Sequence, residues 1–400
     1  MTALQTDLFA PAAAPLRESL LGFADFGAPT QALEDGGIPY LVNEYWTAGQ
    51  RQAHALHEIS YRACFKPQLP AFFIERLTAP GEAVYDPFMG RGTTPLQAAL
   101  MGRRALGNDA NPLSAMLARP RFAPPTLGAV AARLAIVDWA DDGVEAPELE
   151  AFYAPATLRK LSALRRWLLR SPDLDAVDDW IRMVALNRLT GHSPGFFSVY
   201  TLPPNQAASL KAQVKINAKR GQAPPERDVG ALILRKSKAL LRDGAPLCEP
   251  PLLFSRPAEA TPDIPDASVD LVVTSPPFLD VVDYAGDNWL RNWFAGLDGA
   301  PISTSRLAKP ADWQAMARRT LQELARVTRS GGHVAFEVGE VRGGKLPLER
   351  LVWGAAENLP FQRLFVMVNQ QEFTKTANCW GVGNNAKGTN TNRIVMLKRD

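Results

Sequence analysis

Several patterns that mark common protein classes are missing from this chain of 400 residues. Its three cysteines are far apart and form no CxxC pair, so we expect neither a disulfide framework nor a cysteine zinc site. Its four histidines include no HExxH pattern, and no metal is expected. No apolar run reaches the roughly 18 residues of a membrane span. No signal peptide is recognisable, because the first residues carry no basic region ahead of an apolar stretch. The sequence thus predicts a cytoplasmic protein without a membrane partner.

Charge is modest overall but concentrated in one segment. The net charge is +3, yet residues 201–243 carry nine Lys or Arg against three Asp or Glu. Lysines recur there every four residues, which on a helix would form one cationic stripe. Such a stripe can neutralise phosphates, although a solvated helix face remains the alternative interpretation. The candidate DNA-contacting residues are Lys211, Lys215, Lys219, Arg220, Arg235 and Lys236.

The hydrophobic pattern divides the chain into three parts. Residues 1–36 are rich in Ala, Pro and Gly and are predicted to be a loosely structured arm. Residues 37–123 and 251–400 alternate strand and helix patterns, beginning with predicted helices over 48–60 and 70–77. Residues 124–250 are mainly helical and basic. We therefore predict an α/β domain interrupted by an inserted helical module.

A glycine-rich loop follows the first predicted strand of the α/β domain. The strand at residues 83–85 runs into Asp86-Pro87-Phe88-Met89-Gly90-Arg91-Gly92-Thr93-Thr94, and a helix comes next. Glycines in such a loop let a cofactor approach the backbone. Asp109 ends the following strand, where an acid can accept hydrogen bonds from both ribose hydroxyls. A strand–loop–helix–strand–acid unit of this kind is typical of nucleoside-cofactor sites, whereas an ordinary turn beside a solvated Asp is the alternative.

A second motif, Thr274-Ser275-Pro276-Pro277-Phe278, lies at the end of the predicted strand 269–273. An exocyclic amine of a base is a poor nucleophile, because its lone pair is delocalised into the ring. The Ser275 hydroxyl and the Pro276 carbonyl could accept hydrogen bonds from both N–H protons, and the prolines would stiffen the loop. Phe278 offers a flat face to a base turned out of a duplex. A proline-rich strand exit with a core phenylalanine is the alternative.

Together the two motifs resemble motifs I and IV of the S-adenosylmethionine-dependent DNA amino-methyltransferases. The Ser-Pro-Pro-aromatic form resembles the cytosine-N4 branch more than the adenine-N6 branch. The resemblance includes Phe65-Lys66-Pro67-Gln68-Leu69-Pro70, Asp283-Tyr284 and the ending 387–393, and covers roughly residues 40–118 and 260–400. It implies a Rossmann-like class I methyltransferase fold, α/β and doubly wound with a mostly parallel sheet. In that fold 37–123 and 251–400 would be the catalytic domain, and 124–250 an inserted mainly helical module for target recognition.

The resemblance also assigns residues to roles. It implies double-stranded DNA as the substrate, methylated by base flipping and direct attack of the amine on the methyl group. It also implies a cognate restriction endonuclease as a possible partner, and a cytoplasmic protein associated with the nucleoid. The residues implied to bind S-adenosylmethionine are Lys66, Pro67, Asp86, Pro87, Phe88, Gly90, Gly92, Thr93, Thr94 and Asp109. The residues implied to hold the target base are Ser275, Pro276, Pro277 and Phe278.

One departure and several alternatives remain. Such enzymes often have an acid near the cofactor adenine, but residues 253–258 contain none, and Glu259 is the nearest. A cytosine-C5 enzyme is disfavoured because no cysteine follows a proline. Adenine N6 is the second target. An RNA N-methyltransferase, or a silent module that only binds nucleic acid, is a further interpretation.

Overall fold

We describe the protein from a computed structural model. The described residues are 16–47, 53–62, 64–140, 143–170, 174–279, 284–297, 307, 309–339, 341, 346–370 and 391–400. Within them, no helix is long and apolar enough to cross a membrane. The same residues contain no group of three or more His, Cys, Asp or Glu side chains that could hold a metal ion.

A nine-stranded sheet forms the centre of the described structure. Its strands are β1 (Gln31–Asp35), β2 (Ile38–Asn43), β3 (Ala83–Asp86), β4 (Arg104–Asn108), β5 (Leu252–Phe254), β6 (Val269–Thr274), β7 (Thr328–Val338), β8 (Phe361–Gln370) and β9 (Thr391–Arg399). The spatial order is β1-β2-β8-β9-β7-β6-β3-β4-β5. From β5 to β8 all strands are parallel except β9, which is antiparallel to both neighbours. The predicted Rossmann-like class I methyltransferase fold is confirmed.

Helices cover both faces of this sheet. They are α1 (Leu16–Leu21), α2 (Gln68–Leu77), α3 (Thr93–Leu100), α4 (Pro112–Ala118), α5 (Leu127–Ile136), α6 (Pro155–Leu169), α7 (Ala176–Leu186), α8 (Leu210–Arg220), α9 (Val229–Leu240), α10 (Tyr284–Ala295), α11 (Pro310–Val327) and α12 (Leu348–Ala355). Side chains alternate along the central strands, so Leu271 and Val273 face a core with α2 and α3. Val272 faces a second core with α11 and α12. Burial on both faces explains why β6 is a nearly continuous apolar run.

Helices α5 to α9 lie between β4 and β5 in the chain, in the segment predicted to be helical. Helix α6 is an amphipathic helix that begins with Pro155 at its first position, and Asp175 caps α7 by accepting hydrogen bonds from the Val177 and Asp178 N–H groups. The order of strands reverses between β3 and β6. In open α/β sheets, ligands bind beyond the carboxyl ends of the strands at such a point.

Two local predictions are wrong. Residues 31–35, assigned to the loosely structured arm, form β1, which pairs with β2 from Gln31 opposite Val42 to Asp35 opposite Ile38. The predicted helix over 48–60 is absent from its described part, which contains a 3-10 turn, Ala55–His57. Groups distant in the sequence form hydrogen bonds with backbone groups of this segment instead. The Ala55 N–H donates to the Asp243 carboxylate at 2.7 Å, for example.

Candidate active site

The two motifs meet in one cleft beyond the carboxyl ends of β3, β4 and β6. The cleft has a volume of about 430 Å³. One side, here the Gly-loop wall, is lined by Phe88, Gly90 and Asp109. The other side, the Ser-loop wall, is lined by Ser275, Pro277 and Phe278. Residues almost 190 positions apart in the sequence therefore face the same space.

The glycines of the first motif, Gly90 in the Gly-loop wall and Gly92 outside the cleft lining, are required by the backbone. Gly90 and Gly92 have φ angles of +50° and +75°, a conformation that side chains disfavour. A Cβ atom at Gly92 would lie 2.8 Å from the Ala118 Cβ, and one at Gly90 would lie 3.3 Å from the Cys64 Sγ. The loop thus presents bare backbone at the entry to α3.

Asp109 holds this loop in place. Its Oδ2 accepts a hydrogen bond from the Gly90 N–H, and its Oδ1 accepts one from the Asn111 N–H, each at 2.9 Å. Burial raises the pKa of the Asp109 carboxyl, and these two bonds oppose that shift. Each carboxylate oxygen can accept about two hydrogen bonds, so capacity remains for ligand hydroxyls.

Asp86 and the two threonines face inward, and none of them lines the cleft. The Asp86 carboxyl accepts hydrogen bonds from the Thr274 hydroxyl at 2.6 Å and the Phe88 N–H at 3.0 Å. Burial raises its pKa to about 7. The Thr94 hydroxyl donates to the Val273 carbonyl at 3.0 Å, and Thr93 is buried. Asp86 and Thr94 therefore join the first motif to β6, and the structure does not bring them to the ligand side.

The motif-X segment contributes different residues from those expected. Lys66 and Pro67, at the start of α2, are absent from the cleft lining, whereas Tyr61, Arg62 and Cys64 belong to it. The Arg62 guanidinium pairs with the Asp287 carboxylate at 2.8 Å. Asp287 lies on α10, after the Ser-Pro-Pro-Phe loop. No local sequence signal identifies Arg62, because its partner is 225 residues away.

The Ser-loop wall is held by Trp313, which also lines the cleft. This side chain is fully buried on α11, and its indole Nε1–H donates to the Pro277 carbonyl at 2.8 Å. Pro276 is buried and does not line the cleft. Cys379, Asp283 and 387–390 lie outside the described residues.

The segment after β5 closes the cleft on a third side through residues 255–259. The buried Asn108 side chain fixes it. Asn108 accepts from the Arg256 N–H at 3.0 Å and donates to the Arg256 carbonyl at 2.9 Å. Glu259, the acid nearest to the position the family pattern would use, lines the cleft and pairs with Arg319 at 2.9 Å.

The basic segment separates into exposed and engaged residues. Lys211, Lys215 and Lys219 are exposed along α8, and Arg235 is exposed on α9. The Arg220 guanidinium lies 3.8 Å from the centre of the Tyr200 ring. Lys236 is instead committed to an ion pair with Glu58 at 3.1 Å, and its side chain is only 13% exposed. The structure therefore does not offer Lys236 to DNA as predicted, because the Glu58 carboxylate holds its ammonium group.

The helical module adjoins the cleft through the segment just before α8. The Gln206 side chain accepts a hydrogen bond from the cleft residue Arg62 at 3.0 Å. The Ala207 N–H donates to the Asp287 carbonyl at 3.0 Å. The module, α10 and the cleft residue Arg62 thus share a set of contacts beside the cleft.

Comparison with known proteins supports the resemblance. Residues 39–118 match a family described as DNA methylase, which confirms the predicted family for that segment. The segment includes the glycine-rich loop and Asp109 but not Ser275. The type II methyltransferase M.MjaII of Methanocaldococcus jannaschii is 37% identical over 72 residues, or 18% of this chain and 13% of that protein.

Two solved structures are similar at low identity. TrmN from Thermus thermophilus aligns over 85% of this chain and 50% of its own, at 13% identity and a TM-score of 0.34. A candidate DNA modification methylase, also from Thermus thermophilus and complexed with S-adenosyl-L-methionine, aligns over 34% of this chain and 49% of its own. Its identity is 22% and its TM-score 0.21.

Proposed function

We propose that this protein is an S-adenosylmethionine-dependent DNA methyltransferase that acts on an exocyclic amine, cytosine N4 before adenine N6. The observation that carries the proposal is the single cleft in which the Gly-loop wall faces the Ser-loop wall. The glycine-rich motif suits a nucleoside cofactor, and the Ser-Pro-Pro-Phe motif suits an amine. Methyl transfer requires the cofactor and the amine to meet, and one cleft lined by both motifs allows this.

The Gly-loop wall fits the cofactor. Gly90 lines the cleft without a side chain, so a ligand can approach the backbone closely there, and the Gly90 N–H itself is bonded to Asp109. Asp109 lies on the same wall with acceptor capacity for ribose hydroxyls. S-adenosylmethionine, when bound, supplies a methyl group on a positively charged sulfur. Phe88, Gly90 and Asp109 would hold it.

The Ser-loop wall fits the amine. Two acceptors are needed for its two N–H protons. We assign the Ser275 hydroxyl, which lines the cleft, as the first. For the second we assign the Pro276 carbonyl, which the base would have to reach beyond the cleft lining because Pro276 itself is buried. They would draw the nitrogen toward tetrahedral geometry and direct its lone pair at the methyl group. Phe278 would stack on the base after it leaves the duplex.

No covalent enzyme–base intermediate is part of this mechanism. Cys64 lines the cleft, but burial raises the pKa of its thiol, which makes the nucleophilic thiolate scarce at neutral pH. The amine nitrogen would attack the methyl carbon directly as the bond from that carbon to sulfur breaks, and the methylated amine would lose one proton to solvent. Ser275 and Pro276 would be the hydrogen-bond acceptors.

The exposed lysines of α8 support duplex DNA as the substrate, since they lie in the module that contacts the cleft residue Arg62. Phosphate contacts of this kind position a protein on DNA without reading its sequence. A role in a restriction–modification system, with a cognate endonuclease, is part of the proposal.

Incubation with S-adenosylmethionine labelled on the methyl group tests the function. We expect label in duplex DNA with the wild type and almost none with Ser275→Ala. Label in RNA alone would favour an RNA N-methyltransferase. No transfer to either polymer, with the cofactor bound, would favour a silent module and contradict the proposal.

A further inference from the structure

Three hydrogen-bond donors converge on one turn of the helical module, just after α7. A Cβ atom at Gly195 would lie 3.6 Å from the Arg235 Nη2 and 4.0 Å from the Arg188 Nη1. It would also lie 3.6 Å from the Oγ of Ser193, which is exposed. That oxygen accepts a hydrogen bond from the Gly195 N–H at 3.4 Å, so the hydroxyl proton remains available. Two guanidinium groups and one hydroxyl therefore lie over the same face of Gly195.

Both guanidinium groups keep donors for a ligand. The Arg188 Nε donates to the Asn187 carbonyl at 2.8 Å, and its guanidinium carbon lies 4.1 Å from the centre of the Phe196 ring. These two contacts fix the direction of the group. Within the described residues, neither the Nη atoms of Arg188 nor the guanidinium of Arg235 has a hydrogen-bond acceptor or a carboxylate partner. The donors that face Gly195 are thus not used by the chain itself.

The charge around the turn is positive. Burial, followed by repulsion from Arg235, lowers the pKa of the Arg188 guanidinium to about 10, which leaves it charged at neutral pH. Glu58 attracts Arg188, but its two oxygens already hold Lys236 at 3.1 Å and Arg242 at 2.8 Å. Two neighbouring cations that share no carboxylate favour an anion from outside the chain.

The turn is connected to the cleft through the residue before Arg188. The Asn187 side chain accepts a hydrogen bond from the Ser60 N–H at 2.9 Å. Tyr61 and Arg62, the next two residues, line the cleft. The three donors are therefore bonded to the segment that continues directly into the cleft lining.

We propose that Arg188, Arg235 and Ser193 form a site for one backbone phosphate of the DNA substrate, beside the cleft and separate from the lysines of α8. A guanidinium suits this ligand because its planar N–H groups can donate two parallel hydrogen bonds to phosphate oxygens. The inference rests on the proposed function, since it takes duplex DNA as the ligand. The contact would hold the strand at the cleft without reading its sequence.

Two variants of equal shape at Gly195 test the site. Gly195 has no positive φ angle, and a Cβ there would make only ordinary van der Waals contacts, so both variants should fold. Gly195→Asp places a carboxylate against the two guanidinium groups, where it competes with phosphate. Gly195→Asn has the same shape without the charge. By fluorescence anisotropy with a duplex at fixed salt, we expect the Asp variant to bind about ten- to a hundredfold more weakly than the Asn variant. Its unfolding midpoint should be no lower, because the new carboxylate pairs with two cations.

Removal of the cations tests the same site independently. Arg188→Gln and Arg235→Gln should each weaken duplex binding about ten- to a hundredfold. Because both arginines hold one phosphate, the double variant should flatten the slope of log affinity against log salt by about one, whereas separate phosphates would give about two. The matched control is Arg363→Gln. The Arg363 guanidinium also lies over an aromatic ring, 5.2 Å from the centre of Trp353, but near the amino end of β8 and away from the cleft. Its substitution should leave the slope unchanged.

The outcomes separate the two proposals. Failure of the wild type to bind any duplex would refute the DNA substrate, and the inference with it. Wild-type binding together with equal affinities of the Asp and Asn variants would overturn the phosphate site alone, as would a double-variant slope that is unchanged or flattened by about two. Inorganic phosphate at matched ionic strength is the last arm. If it raises the unfolding midpoint of the wild type but not of Gly195→Asp, while both Gly195 variants bind DNA equally, the site takes free phosphate rather than DNA.

Discussion

The two walls of the cleft are held in different ways. The Gly-loop wall is fixed by features that are close in the sequence. Positive φ angles shape its loop, and its main hydrogen bond, from the Gly90 N–H to Asp109, joins residues only 19 positions apart. The Ser-loop wall is fixed by side chains from other elements, with Trp313 bonded to Pro277 and Asp86 bonded to Thr274. A cofactor loop can therefore be specified locally, whereas a loop that must orient single acceptors depends on residues from several strands and helices.

Of the substitutions considered, one in the Ser-loop wall should lower turnover most. Ser275→Ala removes an acceptor whose bond strengthens as the amine becomes tetrahedral, so we expect kcat to fall by about 10²–10³. Steady-state kinetics and calorimetry would measure this. Cofactor affinity should not change, because Ser275 is on the opposite wall. A rise in the DNA KM alone would assign Ser275 to base binding and remove the contrast between the walls.

The corresponding change on the Gly-loop wall is Asp109→Ala. It removes the acceptor for Gly90 and for ribose, so cofactor affinity should weaken about ten- to a hundredfold. Turnover at saturating cofactor should fall much less. Asp109→Asn, which retains one acceptor oxygen, is the control and should fall in between. Equal calorimetric binding by the wild type and Asp109→Ala would exclude Asp109 from the site.

Lysines that lie on neither wall should affect only DNA binding. Replacing Lys211 and Lys215 by Ala removes two cations, and the slope of log affinity against log salt should flatten by about two. All duplexes should weaken alike, and cofactor affinity should stay constant. A salt series with the wild type and the double variant provides the measurement. An unchanged slope would make α8 a merely solvated helix face.

Asp86, which joins β3 to β6, should make the free energy of unfolding depend on pH. Its pKa is about 7 when folded and about 3.9 in an unfolded chain. Between these values the unfolded chain releases a proton that the folded protein retains, so rising pH favours unfolding. Asp86→Asn should therefore gain stability relative to the wild type from about pH 4 to 7. Urea unfolding at several pH values would show it. Parallel curves for the two proteins would contradict this.

The smallest change in turnover should be that of Cys64→Ser, a cleft residue next to Gly90. Because no covalent intermediate is expected, kcat should remain within about twofold at unchanged stability. The thiol packs beside Gly90, where a Cβ atom would lie 3.3 Å from the Cys64 Sγ, so serine is chosen because it changes the size of the side chain least. A specific loss of turnover in the folded variant would reveal a role for the thiol.

Much of the fold follows from patterns that are local. The strands of the α/β part of the chain and α6 are apolar or amphipathic segments with clear ends, and the glycines and Asp109 lie at a fixed spacing along the chain. What could not be predicted depends on long-range contacts. β1 is recognisable only from its pairing with β2, and Lys236 is withdrawn from the surface by Glu58.

The site divides in the same way. Phe88, Gly90, Asp109 and the Ser-Pro-Pro-Phe loop carry their own signals. Asn108 and Trp313 carry no such signal, since each contributes through a bond to a residue that is distant in sequence. Asp86 and Thr94 show the reverse case. They belong to the motif, yet their side chains point to β6 rather than to the cleft.

The most direct test of one shared cleft is to express the protein in a host without DNA methylation and sequence the genome by a single-molecule method. We predict N4-methylcytosine at one short recognition sequence with the wild type, and none with Ser275→Ala or with Asp109→Ala at low cofactor concentration. Methylated adenine at a defined site would move the target to N6 and leave the shared cleft intact. An unmodified genome, with folded protein that binds the cofactor, would contradict the claim that the two walls form one amino-methyltransferase site.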